Sequence, residues 1–504
     1  MARQTYLAQL FGARGMRRIG RYVVLGLLGR GGMGAVYKAA MPHTGRVVAL
    51  KLLKPAEVLA ATADPAQLRR DFYREAALMA RIRHPNIAQV LDVDECADGP
   101  FFVMEYYCNN LGALLGESYR VEEPTRRLGV EQSLNLARQL TAALARLHFE
   151  GVLHRDVKPY NLMLAEQAGL GSITSGGASG GAQGDEVKLI DFGLSRLRGE
   201  VAETEATAPR PKGAVVGSPY YAAPEQERAP DDADERADLF SVGVTLFRCL
   251  TGLLPQEGLP ASQLRQGLDG RFDDFFVRVC HEDRRQRPTS ARALLAELDE
   301  LCGHWARLRE AVCALPEEKS GQEFEEDAGS PGHAVAAPRS QPMRQPLAGA
   351  RERFGLDELW RPRVVDADRF EPACPASHGP TANALAGGEA CVRDRRTGLL
   401  WQRGGTAYAL PLAGAVAHAE ALARERFAGC AGWRLPTAEE LATLLLPEPD
   451  LRRLCLAPCF DPTQRRLWSA DRKSFMAAWY ADVEHGFVWW QDTTCEFHAR
   501  CVCG

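Results

Sequence analysis

Apolar and polar positions alternate along the first hundred residues in a way that predicts a sheet interrupted by a single helix. Tyr22–Leu28 and Ala35–Ala39 are short apolar runs of strand length, separated by a glycine-rich stretch, Gly29-Arg30-Gly31-Gly32-Met33-Gly34. Val47-Val48-Ala49-Leu50 is a third strand, and it ends in a cation, Lys51. Asp71–Met79 has helical spacing, with Phe72, Glu75 and Met79 on one side. Phe101–Met104 is another apolar strand. Beyond it the period lengthens: Leu136, Leu140, Leu144 and Leu147 form one face of an amphipathic helix. A last helix of this half covers Ala291–Leu301, with helical pattern running on to Ala314. Residues 316–350 then turn polar, acidic and proline-bearing, with prolines at 331, 338, 342 and 346, which predicts an extended or disordered linker. After it, Leu467–Ser469, Ala478–Val483, Gly486–Trp490 and Ala499–Val502 alternate as hairpin strands do. Ala413–Arg426 reads as a helix, and Thr437-Ala438-Glu439-Glu440 as a capping box opening another.

One residue in the first half, Lys51, is costly unless it is paired. A Lys at the end of a buried strand needs a partner. Glu75 is the expected one, with Asp71 the runner-up. The glycine loop sits between strands and is not followed by a helix, which separates it from a dinucleotide-binding turn. Such a loop lets backbone N–H groups approach phosphates. Further on, His154-Arg155-Asp156-Val157-Lys158-Pro159-Tyr160-Asn161 is followed by Asp191-Phe192-Gly193 and by Ala223-Pro224-Glu225.

Taken together these motifs resemble the eukaryotic-type serine/threonine protein kinases of bacteria, over roughly residues 20–302. The resemblance implies a two-lobed kinase fold that binds ATP and Mg²⁺ and transfers the γ-phosphate to serine or threonine. Gly29, Gly31 and Gly34 would cradle the phosphates. Val36, Ala49, Met104, Glu105, Tyr107 and Met163 would enclose the adenine, with Met104 guarding the back of the pocket, residues 105–107 as the hinge and Met163 as the floor. Lys51, held by Glu75, would contact the α- and β-phosphates. Asp156 would orient the acceptor hydroxyl and take its proton, with Lys158 neutralising the γ-phosphate. Asn161 and Asp191 would hold the metal, since Mg²⁺ prefers oxygen ligands. His154 reads as packing and not as a base. Asp238 matches the residue that braces the catalytic loop, and Arg287 the partner of Glu225. Thr204 and Thr207 are candidate phosphorylation sites, because an Arg such as Arg155 binds an activation-segment phosphate in relatives. Ser218 stands where Thr is commoner. The Gly/Ser-rich stretch 169–181 departs from the family and predicts a solvated hairpin excursion. Thr251 to Phe272 is short for the family, which predicts a truncated substrate-side helix.

The second half resembles the C-terminal domain family of Legionella collagen-like proteins, related in fold to C-type lectins and formylglycine-generating enzymes. Gly432-Trp433-Arg434-Leu435-Pro436-Thr437 carries most of that likeness. The fold class expected is therefore α+β throughout. A basic tail (1–20) and a kinase domain (21–302) come first. A helical extension and linker (303–355) and a lectin-like domain (385–504) follow. Trp433, Arg434 and Trp468 read as core and bracing residues. His485, Trp489, Trp490, Asp492 and His498 are candidates for a ligand-binding loop surface.

Composition trims the alternatives. The chain has 504 residues, 46% of them hydrophobic, enough for more than one core. A formal charge of −4 argues against bulk nucleic-acid binding, despite Arg3, Arg14, Arg17, Arg18 and Arg21 near the start. That basic stretch lacks the apolar core of a secretory signal. No apolar run approaches a membrane span, so a cytoplasmic protein is expected, with protein substrates and a ligand or partner for its second domain. Of the 14 cysteines, Cys374, Cys391, Cys430, Cys455, Cys459, Cys495, Cys501 and Cys503 fall in the second domain. Cytoplasmic placement favours reduced thiols over disulfides, redox sensing or a metal site. Two other functions compete with an active kinase: a pseudokinase scaffold, and a lectin-like binder with a regulatory kinase module. Every catalytic position is filled, which counts against the pseudokinase.

Overall fold

The structure is a computed structural model. It describes residues 17–31, 34–56, 61, 64–118, 120–165, 186–191, 196–197, 220–228, 232–313, 338–366, 369–373, 391–446 and 454–504. The chain divides into two compact units, Met1–Glu318 and Lys319–Gly504.

Strands β1 (Arg18–Ile19), β2 (Tyr22–Arg30), β3 (Gly34–Ala40), β4 (Val47–Leu53), β5 (Val90–Cys96) and β6 (Gly99–Glu105) form an antiparallel sheet in the order β1-β2-β3-β4-β6-β5. Tyr22, Tyr37, Val48, Leu50, Phe101 and Val103 bury a shared core in it. Helix α1 (Pro65–Arg81) starts earlier than the 71–79 periodicity suggested, because Asp64 caps it by accepting from the Ala66 and Gln67 N–H groups and Pro65 opens its first turn. Its buried stripe is Leu68, Phe72, Glu75, Ala76 and Met79. Gly34 is the glycine that packing demands: a Cβ there would collide with the Leu52 carbonyl oxygen, whereas Gly29 and Gly31 face open space. Gly34→Ala should therefore cost about 1–3 kcal/mol of stability in urea unfolding, by prising β3 from β4. Gly29→Ala should leave unfolding unchanged and alter only nucleotide affinity.

The rest of this unit is mainly helical. α2 (Leu111–Leu115), α3 (Val130–Phe149), α4 (Pro224–Arg228), α5 (Glu235–Thr251), α6 (Ala261–Leu264), α7 (Gly270–Val279) and α8 (Ala291–Cys313) follow in order. α5 is buried on nearly all sides, as its apolar sequence requires, and is capped by Asp234 and by Gly252 at φ 76°. The short stretch after Thr251 holds only the four-residue α6 before α7. Strands β7 (Asn109–Asn110), β9 (Leu162–Ala165) and β10 (Glu186–Leu189) pair in the order β10-β9-β7, and β8 (Val152–Leu153) pairs with β11 (Arg196–Leu197). β9 and β10 are the antiparallel arms of the expected hairpin, Leu164 opposite Val187. The 169–181 insertion itself lies outside the described residues.

The second unit has two antiparallel sheets. One is β12 (Phe370–Ala373), β13 (Cys391–Asp394), β14 (Leu400–Gln402) and β18 (Val502–Cys503), in that order. The other is β15 (Arg466–Arg472), β16 (Ala477–Asp482) and β17 (Phe487–Asp492). Trp401, Trp468 and Trp479 are fully buried. Helices α9 (Ala350–Arg353), α10 (Leu412–Glu425) and α11 (Ala438–Ala442) accompany the sheets. The capping box is present: Thr437 Oγ1 accepts from the Glu440 N–H, and Glu440 returns a bond to the Thr437 N–H. Arg434 forks onto both oxygens of Glu440 at 2.8 and 2.6 Å.

Two expectations fail here. Residues 338–355 are not linker; they belong to a strap, 338–366, packed into the second unit. Arg339 reaches the buried carboxylate of Asp471 and also Glu439. The Gln345 carbonyl accepts from Trp479 Nε1 at 2.9 Å, and Ala350, Phe354 and Leu356 join the core. Low hydropathy and prolines describe an extended segment equally well when its few apolar residues cover a tryptophan. The second correction concerns sulfur. Cys430 and Cys503 are paired as a disulfide, while Cys391, Cys455, Cys459 and Cys501 are free. The bridge closes a sequence separation of 73 residues, so chain entropy assigns it about 4 kcal/mol. Cys430→Ala, or reduction, should lower the urea midpoint of the second unit accordingly. Among the described residues no group of three or more His, Cys, Asp or Glu could hold a metal ion.

Candidate active site

The strand register of the first unit brings the adenine candidates to one face. Cross-strand partners share a face of a sheet, and Val36 stands opposite Lys51, Lys38 opposite Ala49, and Ala49 opposite Met104. Glu105 ends β6, and its Oε2 accepts from Tyr107 Oη at 2.7 Å. Burial and that carboxylate push the Tyr107 phenol well above its usual pKa. Met163, on β9, pairs with Asn110 and Lys188. Gly31 N–H closes on the Gly34 carbonyl at 2.8 Å, pinning the base of the glycine turn.

Lys51 Nζ lies 2.7 Å from Glu75 Oε1 and 3.3 Å from Asp191 Oδ1. The Lys51 and Glu75 side chains are only 11% and 6% exposed, so the helix face that buries Glu75 also delivers it to the lysine. Burial alone would lower the Lys51 pKa; the charges of Glu75 and Asp191 and their hydrogen bonds outweigh it and raise it. Asp71 is not the partner: its Oδ1 accepts from Gln67 Nε2 one turn away. Asp191 stands at φ 64°, a left-handed conformation that a non-glycine residue holds at a cost, and its side chain is half exposed.

The catalytic-loop residues converge on one carboxylate. Asp156 Oδ2 accepts from Lys158 Nζ at 2.8 Å and from Asn161 Nδ2 at 3.0 Å, and Asn161 Nδ2 also donates to the Asp156 carbonyl. The loop is held from beneath by Asp238, which accepts from His148 Nε2 (2.8 Å), the His154 N–H (3.0 Å) and the Arg155 N–H (2.8 Å). Arg155, between them, stands at φ 67°. His154 is fully buried, with Nε2 at 3.1 Å from the Ile190 carbonyl, the residue before Asp191. It packs, and it links the two halves of the site. Ile190 N–H in turn donates to the Asn161 carbonyl.

The end of the activation segment is tied to the same loop. Gln226 Nε2 donates to the Arg155 carbonyl at 2.9 Å, a contact that no motif singles out. Glu225 takes both Arg287 nitrogens, at 2.6 and 2.9 Å. Tyr221 Oη donates to Glu117 and Ser241 Oγ to the Tyr221 carbonyl. Thr204, Thr207 and Ser218 lie outside the described residues.

The donor set suits a hard divalent cation: Asn161 and a half-exposed Asp191 could supply oxygen ligands, and such an ion would take its remaining ligands from water and phosphate. The lysine and the glycine turn suit a polyphosphate.

In the second unit the five surface candidates do not form one open site. His485 is buried against Asp482 at 2.9 Å, and Asp492 Oδ1 accepts from the Thr494 N–H and hydroxyl. His498 Nδ1 meets the Thr406 carbonyl at 3.0 Å. Trp489 packs edge-on to Trp360, with centroids 4.7 Å apart, and Trp490 lies beneath the Lys473 ammonium. Trp433 and Trp468 are core, as expected.

The family description "Protein kinase domain" matches residues 22–298, and "Lcl C-terminal domain" matches residues 390–503. Serine/threonine-protein kinase pkn3 of Myxococcus xanthus is 31% identical over 297 residues, covering 55% of this chain and 49% of that protein. Serine/threonine-protein kinase pkn2 of the same organism is 36% identical over 293 residues, covering 55% and 32%. Serine/threonine-protein kinase PrkC of Bacillus subtilis is 31% identical over 244 residues, covering 48% and 32%. The chain thus spans half or less of the length of these relatives.

Proposed function

The chain belongs to the protein kinase family, and from that premise we propose that it transfers the γ-phosphate of ATP to serine and threonine hydroxyls of proteins, itself included. The observation that carries this reading is that Lys51 Nζ stands between Glu75, at 2.7 Å, and Asp191, at 3.3 Å, so the phosphate-facing lysine and a metal-ligand candidate are brought together. Phosphoryl transfer asks the protein mainly for position and charge neutralisation. Lys51 holds the α- and β-phosphates. Gly29, Gly31 and Gly34 present backbone N–H groups to the phosphates. Val36, Ala49, Met104 and Met163 enclose the adenine, and the backbone of residues 105–107 bonds its edge. Asp156 orients the acceptor hydroxyl and takes its proton, and Lys158 moves from Asp156 to the γ-phosphate as that group arrives. Asn161 and Asp191 hold Mg²⁺, which when bound offsets the negative charge of the phosphates. Phosphate on Thr204 or Thr207 would order the activation segment through Arg155.

No helix among the described residues is long and apolar enough to cross a membrane. The second unit serves to bind a ligand or a protein partner and to raise its concentration near the active site. Incubating the full chain with ATP and Mg²⁺ and mapping phosphosites by mass spectrometry tests the reading. Phosphoserine or phosphothreonine on the chain or on a generic protein acceptor is the expected result. No transfer to either would overturn it and favour the scaffold.

A further inference from the structure

The second unit contains a cleft of about 280 Å³ that none of the foregoing uses. One wall is a face of α10, where Leu412, Val416 and Ala419 recur at helical spacing; Trp433 and Leu435 line it as well. Val416 is 39% exposed, so the apolar slot opens to solvent. Its volume lies just under the roughly 300–1,000 Å³ of sites for drug-sized ligands, the scale of a small molecule.

The charges around the slot select the chemistry. Arg434 lines it, but its guanidinium is already forked onto Glu440. Glu420, one turn beyond Val416, and Arg472, at the end of β15, also line it. Both are exposed, and neither makes an ion pair with any described residue. The backbone of Arg472 is fixed on both sides, its N–H donating to the Met343 carbonyl and its own carbonyl accepting from the Gln345 N–H. The cleft therefore presents one free carboxylate and one free guanidinium on a rigid frame. They flank an apolar hole equivalent to a sphere roughly 8 Å across.

We propose that this cleft binds a free apolar L-α-amino acid. The side chain enters between Val416 and Trp433, the ammonium group faces Glu420, and the carboxylate faces Arg472. A purely apolar ligand would leave both charges unused, and a simple anion would leave the apolar walls unfilled. A residue inside a peptide carries neither terminal charge, and each end of a peptide carries only one.

Calorimetric titration of the full chain with L-leucine and L-phenylalanine tests this, with N-acetyl-L-leucine, L-leucine methyl ester and N-acetyl-L-leucine amide as the charge-deleted series. Saturable binding of a free amino acid is expected, weakened at least tenfold by either single block and lost with both. Glu420→Gln and Arg472→Gln should each weaken binding at least tenfold, and Val416→Trp, which fills the slot from an exposed position, should abolish it. All three positions are solvent-facing, and an unchanged circular dichroism spectrum confirms the fold. Absence of binding for both amino acids up to about 10 mM, a binding free energy weaker than about −3 kcal/mol, overturns the proposal. So does equal affinity for the doubly blocked amide, which would mark a hydrophobic groove for a peptide. Phosphoryl transfer plays no part in the readout, so failure here is separate from failure of the kinase reading.

Discussion

Asp156→Asn is expected to slow phosphoryl transfer by about 10²–10⁴-fold, the usual contribution of a positioned proton acceptor, while ATP affinity stays within about twofold. The asparagine keeps an oxygen where Lys158 and Asn161 now donate to Asp156 Oδ2. It presents an amide where the acceptor hydroxyl would need a base. Position survives and basicity does not. Radiolabel transfer to a protein acceptor gives the rate, and calorimetry gives the nucleotide affinity. An undiminished rate would remove Asp156 from the chemistry. A parallel loss of ATP binding would show that the substitution had collapsed the loop.

Removing the brace beneath that loop should have the second largest effect. Asp238 is fully buried and satisfies two successive backbone N–H groups, those of His154 and Arg155, together with His148 Nε2. Asp238→Ala leaves all three donors without that acceptor, at about 1–3 kcal/mol for each that finds no other partner. The Arg155 backbone, held at φ 67°, then has less reason to stay there, and Asp156 follows it. Activity should fall at least a hundredfold, with a loss of several kcal/mol in unfolding free energy. The pH dependence follows the same group. Burial would raise the Asp238 pKa, but the His148 hydrogen bond and charge and the backbone donors outweigh it and hold the carboxyl below its ordinary range. A depressed folded-state pKa stabilises fully above the unfolded value, about 4, and that contribution fades as pH falls through the folded value. Wild type should therefore lose stability below about pH 4 along a steeper curve than Asp238→Ala. Parallel acid-unfolding curves for the two would contradict this.

Much of the first unit could be read from the chain because phosphate chemistry restricts residue type and spacing at once. Lys51, Asp156, Asn161 and Asp191 fall in short motifs, and Glu75 followed from a helical face. Which glycine packing requires could not be read: Gly34 is decided by the Leu52 carbonyl on the neighbouring strand, and nothing local announces it. The role of Gln226 depends on the Arg155 carbonyl, 71 residues earlier. In the second unit the capping box at Thr437 was legible because it is local. The His485, Asp492 and His498 side chains were candidates for a ligand-binding surface because the resembled folds display one near their last strands. Asp482, the Thr494 N–H and the Thr406 carbonyl engage them instead. The disulfide depends on a pairing 73 residues apart, and the strap on Arg339 meeting Asp471 132 residues later.

The strap also decides where the chain can be cut. The matched stretch begins at residue 390, and a fragment started there would look complete by its motifs. It would leave Asp471, with 0% side-chain exposure, without the guanidinium that offsets it, and would strip Phe354 and Trp360 from the Trp479 ring. Baring a core tryptophan while removing the counter-charge of an interior carboxylate favours aggregation. The inheritable block that could be grafted behind another enzyme therefore starts at or before Pro338, some fifty residues ahead of its recognisable signature.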